Sequence, residues 1–332
     1  MATVTELVGL GKAGLRVGRF GLGGAPLGGL YESVGDDDAV AVLDEAWKQG
    51  LRYFDTAPHY GAGTSERRIG RFLAGKPAAE WVLSTKVGRL LERVEPSRAD
   101  RAMFAAEPAS QRVFDFGRDG VRRSIDESLT RLGVDRIDIV FIHDPDDHWR
   151  QAVEQAWPAL AELRAEGVIR SVGAGMNQTP MLTRFVNETE MDVVLLAGRY
   201  PLLDQSAAGD LLPACIARGT SVVLGGAYNS GVLANPSPGS RFDYEPVAQE
   251  ILLRAQRIAA ICERHGVPMT AAALQFPLAH PAISTVVVGA RSAGEVQANA
   301  ESARCPIPES LWVELKSTGL LRADLPTPGP GT

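Results

Sequence analysis

The chain has 332 residues with 34 basic and 40 acidic side chains, which gives a formal net charge of −6. This acidic balance argues against a nucleic-acid-binding protein, which needs a basic stripe on its surface. Hydrophobic residues make up 45% of the chain, which is enough for a large core, but no apolar run is long enough to cross a membrane. The N-terminal stretch lacks the layout of a signal peptide, and three widely spaced cysteines indicate reduced thiols, so we expect a cytoplasmic protein.

Short apolar runs alternate along the chain with amphipathic stretches of helical spacing. We predict strands over 15–24, 52–57, 81–88, 137–144, 168–175, 193–198, 221–227 and 284–290. Most of these runs are continuously apolar, as in strands buried on both faces of a parallel sheet. The helical patterns between them end at glycines, such as Gly50, Gly133 and Gly266. This alternation predicts a single (β/α)8 TIM barrel over residues 1–322 with long loops at its C-terminal face, followed by a Pro/Gly-rich tail, 323–332, that we expect to be disordered.

An open doubly wound sheet is the alternative fold, and its phosphate-binding fingerprint should follow the first strand. The glycine-rich stretch 21–29, GLGGAPLGG, lies there but runs on toward Tyr31 without opening a helix. We therefore do not interpret it as a dinucleotide-binding loop. Two other stretches, 89–117 and 229–245, follow predicted strands and are longer than most connections. In a barrel they would lie at the C-terminal face, where active sites form; otherwise they are surface insertions.

Polar side chains cluster where the second, third and fourth predicted strands stop. Asp55 ends the second strand with Tyr60 just after it, Lys86 lies near the end of the third, and His143 ends the fourth. Because neighbouring barrel strands end at one face, these four side chains can share a pocket. An ammonium group lowers the pKa of a neighbouring tyrosine, a carboxylate holds that ammonium, and a histidine can orient a substrate oxygen. The set suits carbonyl/alcohol interconversion, although each residue alone could serve in packing, capping or an ion pair.

The stretch 54–70, FDTAPHYGAGTSERRIG, resembles the active-site signature of the aldo-keto reductases. The resemblance extends over nearly the whole chain and includes STKVGR, IHDPD, GVIRSVGAGMNQ, GRYPLLDQ and VVVGARSAGEVQANAE. The long insertion after STKVGR makes the chain most similar to the subgroup that oxidises free aldoses, with pyridoxal 4-dehydrogenases as close relatives. The resemblance implies that Tyr60 is the general acid/base, that Asp55 and Lys86 tune it, and that His143 orients the substrate.

The resemblance also implies a nicotinamide cofactor, NAD or NADP, in an extended form across the barrel mouth. The expected contacts are Asn177, Asn229, Ser230, Gly231, Val232, Gly289, Ala290, Arg291, Ser292 and Gln297. Asn177 would hold the carboxamide of the nicotinamide. Backbone amides of 229–232 would bind the pyrophosphate, and the start of the helix after the eighth strand would bind the adenosine phosphate. Arg291 could hold a 2′-phosphate, but Gln297 replaces a second arginine that is common in strict NADPH users, so we expect NAD or dual use.

Candidate substrate contacts are His59, Arg89, Arg118, His148 and Trp149. The ring of Trp149 could stack on a sugar; alternatively, His148 and Trp149 only begin a helix, and Arg118 lies on the surface. We expect no metal site and no nucleic-acid or membrane partner, and the oligomeric state stays open.

By resemblance, the expected function is an aldose 1-dehydrogenase acting on a sugar of the L-fucose, L-galactose or D-arabinose type. Hydride would pass from C1 of the sugar hemiacetal to C4 of the nicotinamide, Tyr60 would take the hydroxyl proton, and a lactone would form. One alternative is the oxidation or reduction of pyridoxal or another aldehyde. Another is an accessory subunit that binds a nicotinamide and regulates a partner.

Overall fold

The computed structural model describes residues 6–12, 14–100 and 103–329. Eight parallel strands close into a barrel in chain order: β1 Phe20–Gly23, β2 Tyr53–Asp55, β3 Val82–Val87, β4 Ile139–His143, β5 Ser171–Met176, β6 Val193–Ala197, β7 Ser221–Gly225 and β8 Ile283–Gly289. The last strand pairs with the first, with Val286 opposite Phe20. The predicted barrel is therefore confirmed.

Helices connect the strands on the outside of the barrel. They are α1 Asp36–Lys48, α2 Thr64–Leu73, α3 Arg118–Leu132, α4 Trp149–Gln151, α5 Trp157–Ala165, α6 Thr179–Glu188, α7 Leu211–Arg218, α8 Gln249–Arg264, α9 Met269–Gln275, α10 Ala293–Arg304 and α11 Glu309–Ser317. A π-helical segment, Ala152–Ala156, joins α4 to α5. In α3, Val121, Ile125 and Leu132 recur at helical spacing and are buried, and the helix ends at Gly133 in the left-handed conformation that glycine adopts without strain. Within the described ranges, no helix has the length and apolar character needed to span a membrane.

The predicted first strand, 15–24, contains two strands rather than one. Leu15–Gly18 pairs antiparallel with Leu7–Leu10, and β1 starts only after Arg19. The guanidinium of Arg19 donates hydrogen bonds of 2.6–3.2 Å to three backbone carbonyls at the entry of β8: Leu278, Ile283 and Ser284. Arg19 thus anchors the chain where it passes from the hairpin into the barrel.

Apolar side chains form two buried layers. One fills the barrel interior and joins the N-terminal hairpin to the strands: Leu10, Leu15, Val17, Tyr53, Ile139, Phe141, Val193, Leu195, Val223 and Val287. The other, larger layer lies between the strands and the surrounding helices. The hairpin therefore closes the N-terminal end of the barrel, which leaves the C-terminal end for a site.

Both long stretches contain hairpins that follow barrel strands. Arg89–Arg93 pairs with Ser110–Phe114 after β3, while residues 101–102 between them lie outside the described ranges. Arg241–Phe242 pairs with Glu245–Pro246 after β7.

Leu325, in the tail that is predicted to be disordered, packs on the rest of the described structure. Its side chain is buried, and its carbonyl accepts a hydrogen bond from Lys316 Nζ at 2.7 Å. Residues 330–332 of the tail lie outside the described residues. Disorder at the very end of the chain stays a prediction.

Candidate active site

Asp55 and Lys86 form a buried ion pair at the C-terminal ends of β2 and β3. Lys86 Nζ donates to both carboxylate oxygens, at 2.8 and 3.0 Å, and to the Thr56 carbonyl at 2.8 Å. Ser84 Oγ donates to Asp55 Oδ1 at 2.7 Å and lies 3.1 Å from the Tyr53 hydroxyl. Both side chains are buried, so removing either one would leave the other as a buried charge without its partner.

Tyr60 lies on the short loop after β2, with its ring beside the ion pair. Lys86 Nζ lies 4.7 Å from the centre of the Tyr60 ring. A Cβ atom on Gly61, where φ is 60°, would lie 2.2 Å from the carbonyl oxygen of Gly28. The tyrosine loop therefore packs backbone to backbone on the glycine-rich stretch 21–29. That stretch is no dinucleotide fingerprint, but it determines where Tyr60 lies.

The structure reverses the expected effect on the pKa of Tyr60. Burial raises this pKa well above its ordinary value, and the carboxylates of Asp55 and Asp144 raise it further, against a lowering by Arg89. Asp55 compensates the charge of Lys86. The ammonium group therefore does not lower the pKa of Tyr60 enough to offset the effect of burial. Tyr60 is thus a protonated hydrogen-bond donor at neutral pH.

His143 ends β4, and its ring stands perpendicular to that of Tyr60 with 6.0 Å between the ring centres. Burial lowers the pKa of His143 well below its ordinary value, and the charges of Arg89 and Lys86 lower it further, so the ring is neutral at neutral pH. His143 Nε2 lies 3.4 Å from Asp144 Oδ2, which also accepts a hydrogen bond from Arg89 Nη2 at 2.6 Å. The four predicted strand-end residues therefore lie together.

A cavity of about 490 Å³ extends from Asp55 and Tyr60 to the start of α10. Predicted cofactor residues that line it are Asn229, Ser230, Gly231, Gly289 and Arg291. Residues that the sequence analysis missed also line it, among them Tyr31, Asp243, Tyr244, Glu295 and Asn299. Asn229 Oδ1 is buried and has no hydrogen-bond partner in the described part of the chain, so a bound ligand with a donor would satisfy it. The cavity and this acceptor fit a nicotinamide dinucleotide.

Five predicted cofactor residues do not belong to this lining: Asn177, Val232, Ala290, Ser292 and Gln297. The Ser292 hydroxyl accepts a hydrogen bond from the amide of Glu295 at 3.2 Å and so caps α10. Gln297 is exposed and donates to Glu301 at 3.1 Å, one turn further along the helix. Val232 and Ala290 are buried in the core. Their contacts with the cofactor stay predictions.

The backbone amides expected to bind pyrophosphate are largely used within their own turn. The amides of Asn229, Gly231 and Val232 donate to carbonyls of residues 226, 228 and 229, at 2.8–3.3 Å. Residues 229–231 all have left-handed backbone angles, which fold the segment tightly enough to close these bonds. Side chains of the turn, rather than a row of free amides, are thus its main polar groups toward the cavity.

Two carboxylates hold Arg291 at the far end of the cavity. Arg291 Nη1 donates to Glu32 at 2.8 Å and Nη2 donates to Glu295 at 3.3 Å. The backbone amide of Arg291 also donates to Glu295, at 2.9 Å. Glu295 thus occupies a position next to the helix N-terminus that would otherwise favour a phosphate.

Two of the predicted substrate residues, His59 and Arg89, lie near the four strand-end side chains, and a third, His148, contacts the hairpin of 89–117. The His59 ring centre lies 5.2 Å from that of Phe104 and 5.8 Å from that of His143. Arg89 contacts Asp144 as described above, and His148 stacks on Phe114 at 5.2 Å. The stretch 89–117 therefore contributes one wall of the site.

Arg118 and Trp149 take no part in this wall. Arg118 is exposed at the start of α3 and pairs with Glu162, with 2.7 Å between Nη2 and Oε1. The Trp149 ring packs on Phe185 with 4.6 Å between ring centres, and the guanidinium of Arg184 lies 3.8 Å from the centre of the indole ring. The Trp149 ring is engaged in the helix layer, so these contacts do not support the expected stacking of a sugar on it, which stays a prediction.

Comparison with known proteins agrees with this geometry. The sequence model described as "Aldo/keto reductase family" matches residues 19–319. The chain is 45% identical to a D-threo-aldose 1-dehydrogenase of Pseudomonas sp over 95% of this chain and 97% of the relative. It is 41% identical to a pyridoxal 4-dehydrogenase of Microbacterium luteolum over 94% of this chain and 97% of the relative.

A solved structure shares the fold. The holo form of aldo-keto reductase AKR11C1 from Bacillus halodurans superposes with a TM-score of 0.75, at 24% identity, over 97% of this chain and 98% of the other. This likeness shows the fold alone. The family match over residues 19–319 and the two relatives show more: the chain belongs to the aldo/keto reductase family and is an oxidoreductase.

Proposed function

We propose that this protein is an aldose 1-dehydrogenase that oxidises C1 of a free sugar to the lactone and prefers NAD. The observation that carries the proposal is the Asp55–Lys86 pair beside Tyr60 at one end of a dinucleotide-sized cavity. The 45% identity to a D-threo-aldose 1-dehydrogenase supports a sugar as the substrate. Because the set of polar strand-end residues is complete, a purely accessory role has less support.

Each residue has a part in the proposed reaction. The nicotinamide, when bound, supplies the acceptor for the hydride from C1. Tyr60 moves the proton at the C1 oxygen: its phenolate accepts that proton in oxidation, and its phenol donates one in aldehyde reduction. Neutral His143 hydrogen-bonds the same oxygen, and Lys86, held by Asp55, keeps a positive charge beside the Tyr60 ring.

The preference for NAD follows from the surroundings of Arg291. In this proposal the adenosine end of the cofactor lies there, where a 2′-phosphate would meet the carboxylates of Glu32 and Glu295. Like charges repel the phosphate, whereas carboxylates accept hydrogen bonds from ribose hydroxyls. We expect kcat/KM for NAD to exceed that for NADP by about tenfold or more.

A substrate panel tests the proposed function. L-Fucose, L-galactose, D-arabinose and pyridoxal are each assayed with NAD and with NADP, by the absorbance of the reduced nicotinamide, and the sugar product is identified as a lactone. We expect one sugar to be the best substrate. A kcat/KM for pyridoxal above that for every sugar would favour the second candidate function, a pyridoxal oxidoreductase. The 41% identity to a pyridoxal 4-dehydrogenase supports that candidate.

A matched variant tests the cofactor preference. Glu32→Gln combined with Glu295→Gln should raise kcat/KM for NADP and leave that for NAD within a few-fold, because the carboxamides no longer repel a phosphate. A wild-type preference for NADP of about a hundredfold would contradict the assignment.

A further inference from the structure

Arg112 holds His59 by both its ring and its backbone. Arg112 lies on the hairpin strand Ser110–Phe114; its Nε donates to His59 Nδ1 at 2.7 Å, and its Nη2 donates to the His59 carbonyl at 3.2 Å. Both terminal nitrogens of Arg112 also donate to Glu107. The side chains of Arg112 and Glu107 are only 6% and 8% exposed. This buried pair therefore has little freedom to release the imidazole.

The contact determines which nitrogen of His59 carries the proton. A guanidinium only donates hydrogen bonds, so Nδ1, which faces Arg112 Nε, must be an acceptor. The single proton of the neutral ring is then on Nε2, and a second proton on Nδ1 would point at the N–H of Arg112. Burial, together with the charges of Arg89, Arg112 and Lys86, lowers the pKa of His59 to about 2. His59 is thus a neutral Nε2–H donor throughout the neutral pH range.

The ring of His59 borders the groups at which the reaction would occur. Its centre lies 5.8 Å from that of His143, 6.4 Å from that of Tyr60 and 5.2 Å from that of Phe104. In the part of the chain that the structure describes, His59 forms hydrogen bonds through Nδ1 and its carbonyl, both to Arg112, and none through Nε2. A fixed donor without a protein acceptor, next to a substrate site, is available to recognise the substrate.

We propose that His59 Nε2–H binds the oxygen on the carbon next to the reacting carbon, an inference that rests on the proposed function and deepens it. Tyr60 and His143 flank the reacting oxygen, and His59 borders both rings without a hydrogen bond to either. The oxygen that it serves is therefore a neighbouring one: the C2 hydroxyl of an aldose, or the α-hydroxyl of an aldehyde. Arg112 and Glu107 are the positioning residues that fix the donor.

The proposed donor makes the site selective for α-hydroxylated substrates. A substrate with an apolar group at this position leaves the N–H without an acceptor. We expect the enzyme to reduce glycolaldehyde with a kcat/KM about tenfold or more above that for propionaldehyde, which has a methyl group in place of the hydroxyl.

Two variants of His59 separate the role of the Nε2–H donor from that of Nδ1, which accepts a hydrogen bond from Arg112. Asparagine keeps an acceptor near Nδ1 for Arg112 but has no donor at the position of Nε2; glutamine can place an amide N–H there. His59→Asn should lower kcat/KM for the aldose and for glycolaldehyde by about tenfold or more, mainly through KM, and change that for propionaldehyde by less than about threefold. His59→Gln should retain most of the selectivity. Equal losses on glycolaldehyde and propionaldehyde would overturn the proposal.

The fixed tautomer has its own test, which needs no activity. Nitrogen NMR of the His59 ring should show a bare Nδ1 and a protonated Nε2 across the neutral pH range. The charged or titratable groups around the ring are Arg112, Glu107, Arg89, Lys86, His143 and Tyr60. In Arg112→Gln, the constraint on Nδ1 is relaxed and both tautomers should be present. A wild-type proton on Nδ1 would overturn the proposal.

The two proposals can fail separately. If no aldose is oxidised but His59→Asn removes the preference for glycolaldehyde, the proposed function fails and the role of His59 stands. If an aldose is oxidised but His59→Asn leaves that preference intact, the role of His59 fails alone.

Discussion

Lys86 shows how much a single buried residue depends on its neighbours. Its ammonium donates two hydrogen bonds to Asp55 and one to the Thr56 carbonyl, and it lies beside the Tyr60 ring. Asp55, Thr56 and Lys86 are all buried at the barrel mouth. A change at one position therefore leaves another charge or dipole without its partner.

Lys86→Met should lower the free energy of unfolding by about 3–5 kcal/mol, because the Asp55 carboxylate would remain buried without a counter-charge. Urea unfolding followed by circular dichroism measures this loss. Adding Asp55→Asn to the same chain removes the uncompensated charge and should recover part of the stability. If the two losses simply added, the coupling between the residues would be refuted.

At the residue scale, strand ends were predictable and helix starts were not. Asp55, Lys86 and His143 were found because polar residues that end neighbouring parallel strands must face one edge. Only residue type near predicted helix starts points to Arg118 and Trp149 as substrate contacts. Which way a side chain points there depends on helix packing, and Glu162 and Phe185 engage them instead.

Among the elements, the stretch 229–245 forms one side of the cavity. Asp243 and Tyr244 line the cavity with left-handed backbone angles, and the Tyr244 amide donates to Ser230 Oγ at 3.0 Å. Arg199, which follows β6, donates to Asp243 at 2.6 Å. One ion pair therefore ties this stretch to the next loop around the barrel mouth.

Arg199→Ala should weaken cofactor binding by roughly two- to fivefold, since a partly exposed ion pair contributes at most about 1 kcal/mol. Quenching of protein fluorescence by NAD gives the dissociation constant. Arg150→Ala is the matched control, because Arg150 pairs only with Glu154 on the outer surface of the described structure. An Arg199→Ala protein that binds NAD as tightly as the control would show that the ion pair does not support the cavity.

The hairpin in 89–117 holds its contacts through a strand pairing that the sequence does not reveal. The length of this stretch and its position after the third strand predict that it lies at the C-terminal face of the barrel. That Arg112 reaches His59, 53 positions away in the chain, depends on the pairing register of the hairpin, with Leu91 opposite Arg112. No local pattern fixes that register, so neither Arg112 nor Glu107 could be identified from the sequence.

For the whole molecule, continuous apolar strands were sufficient to predict a closed parallel barrel. The first strand was the exception, because LRVGRFGLGG contains no turn residue pair that marks the break at Arg19. The anchor of Arg19 is a set of carbonyls near residues 278–284, at the other end of the chain. Only the closure of the barrel brings these carbonyls to Arg19.

Oxidation and reduction should respond differently to pH. The pKa of Tyr60 is raised, so the phenol prevails at neutral pH and the phenolate fraction grows as pH rises. Below that pKa, kcat/KM for sugar oxidation should rise by up to about tenfold per pH unit. Reduction of glycolaldehyde, which uses the phenol, should stay level over the same range. Initial rates in both directions measure this, and oxidation that does not change with pH would contradict Tyr60 as the base.

Tyr60→Phe tests the proposed chemistry most directly, because it keeps the ring and removes only the hydroxyl. We expect kcat for the best aldose to fall by about a hundredfold or more. The dissociation constant for NAD should stay within a few-fold of that of the wild type, because the cofactor cavity is otherwise intact. A kcat within a few-fold of the wild-type value would show that another group moves the proton at C1.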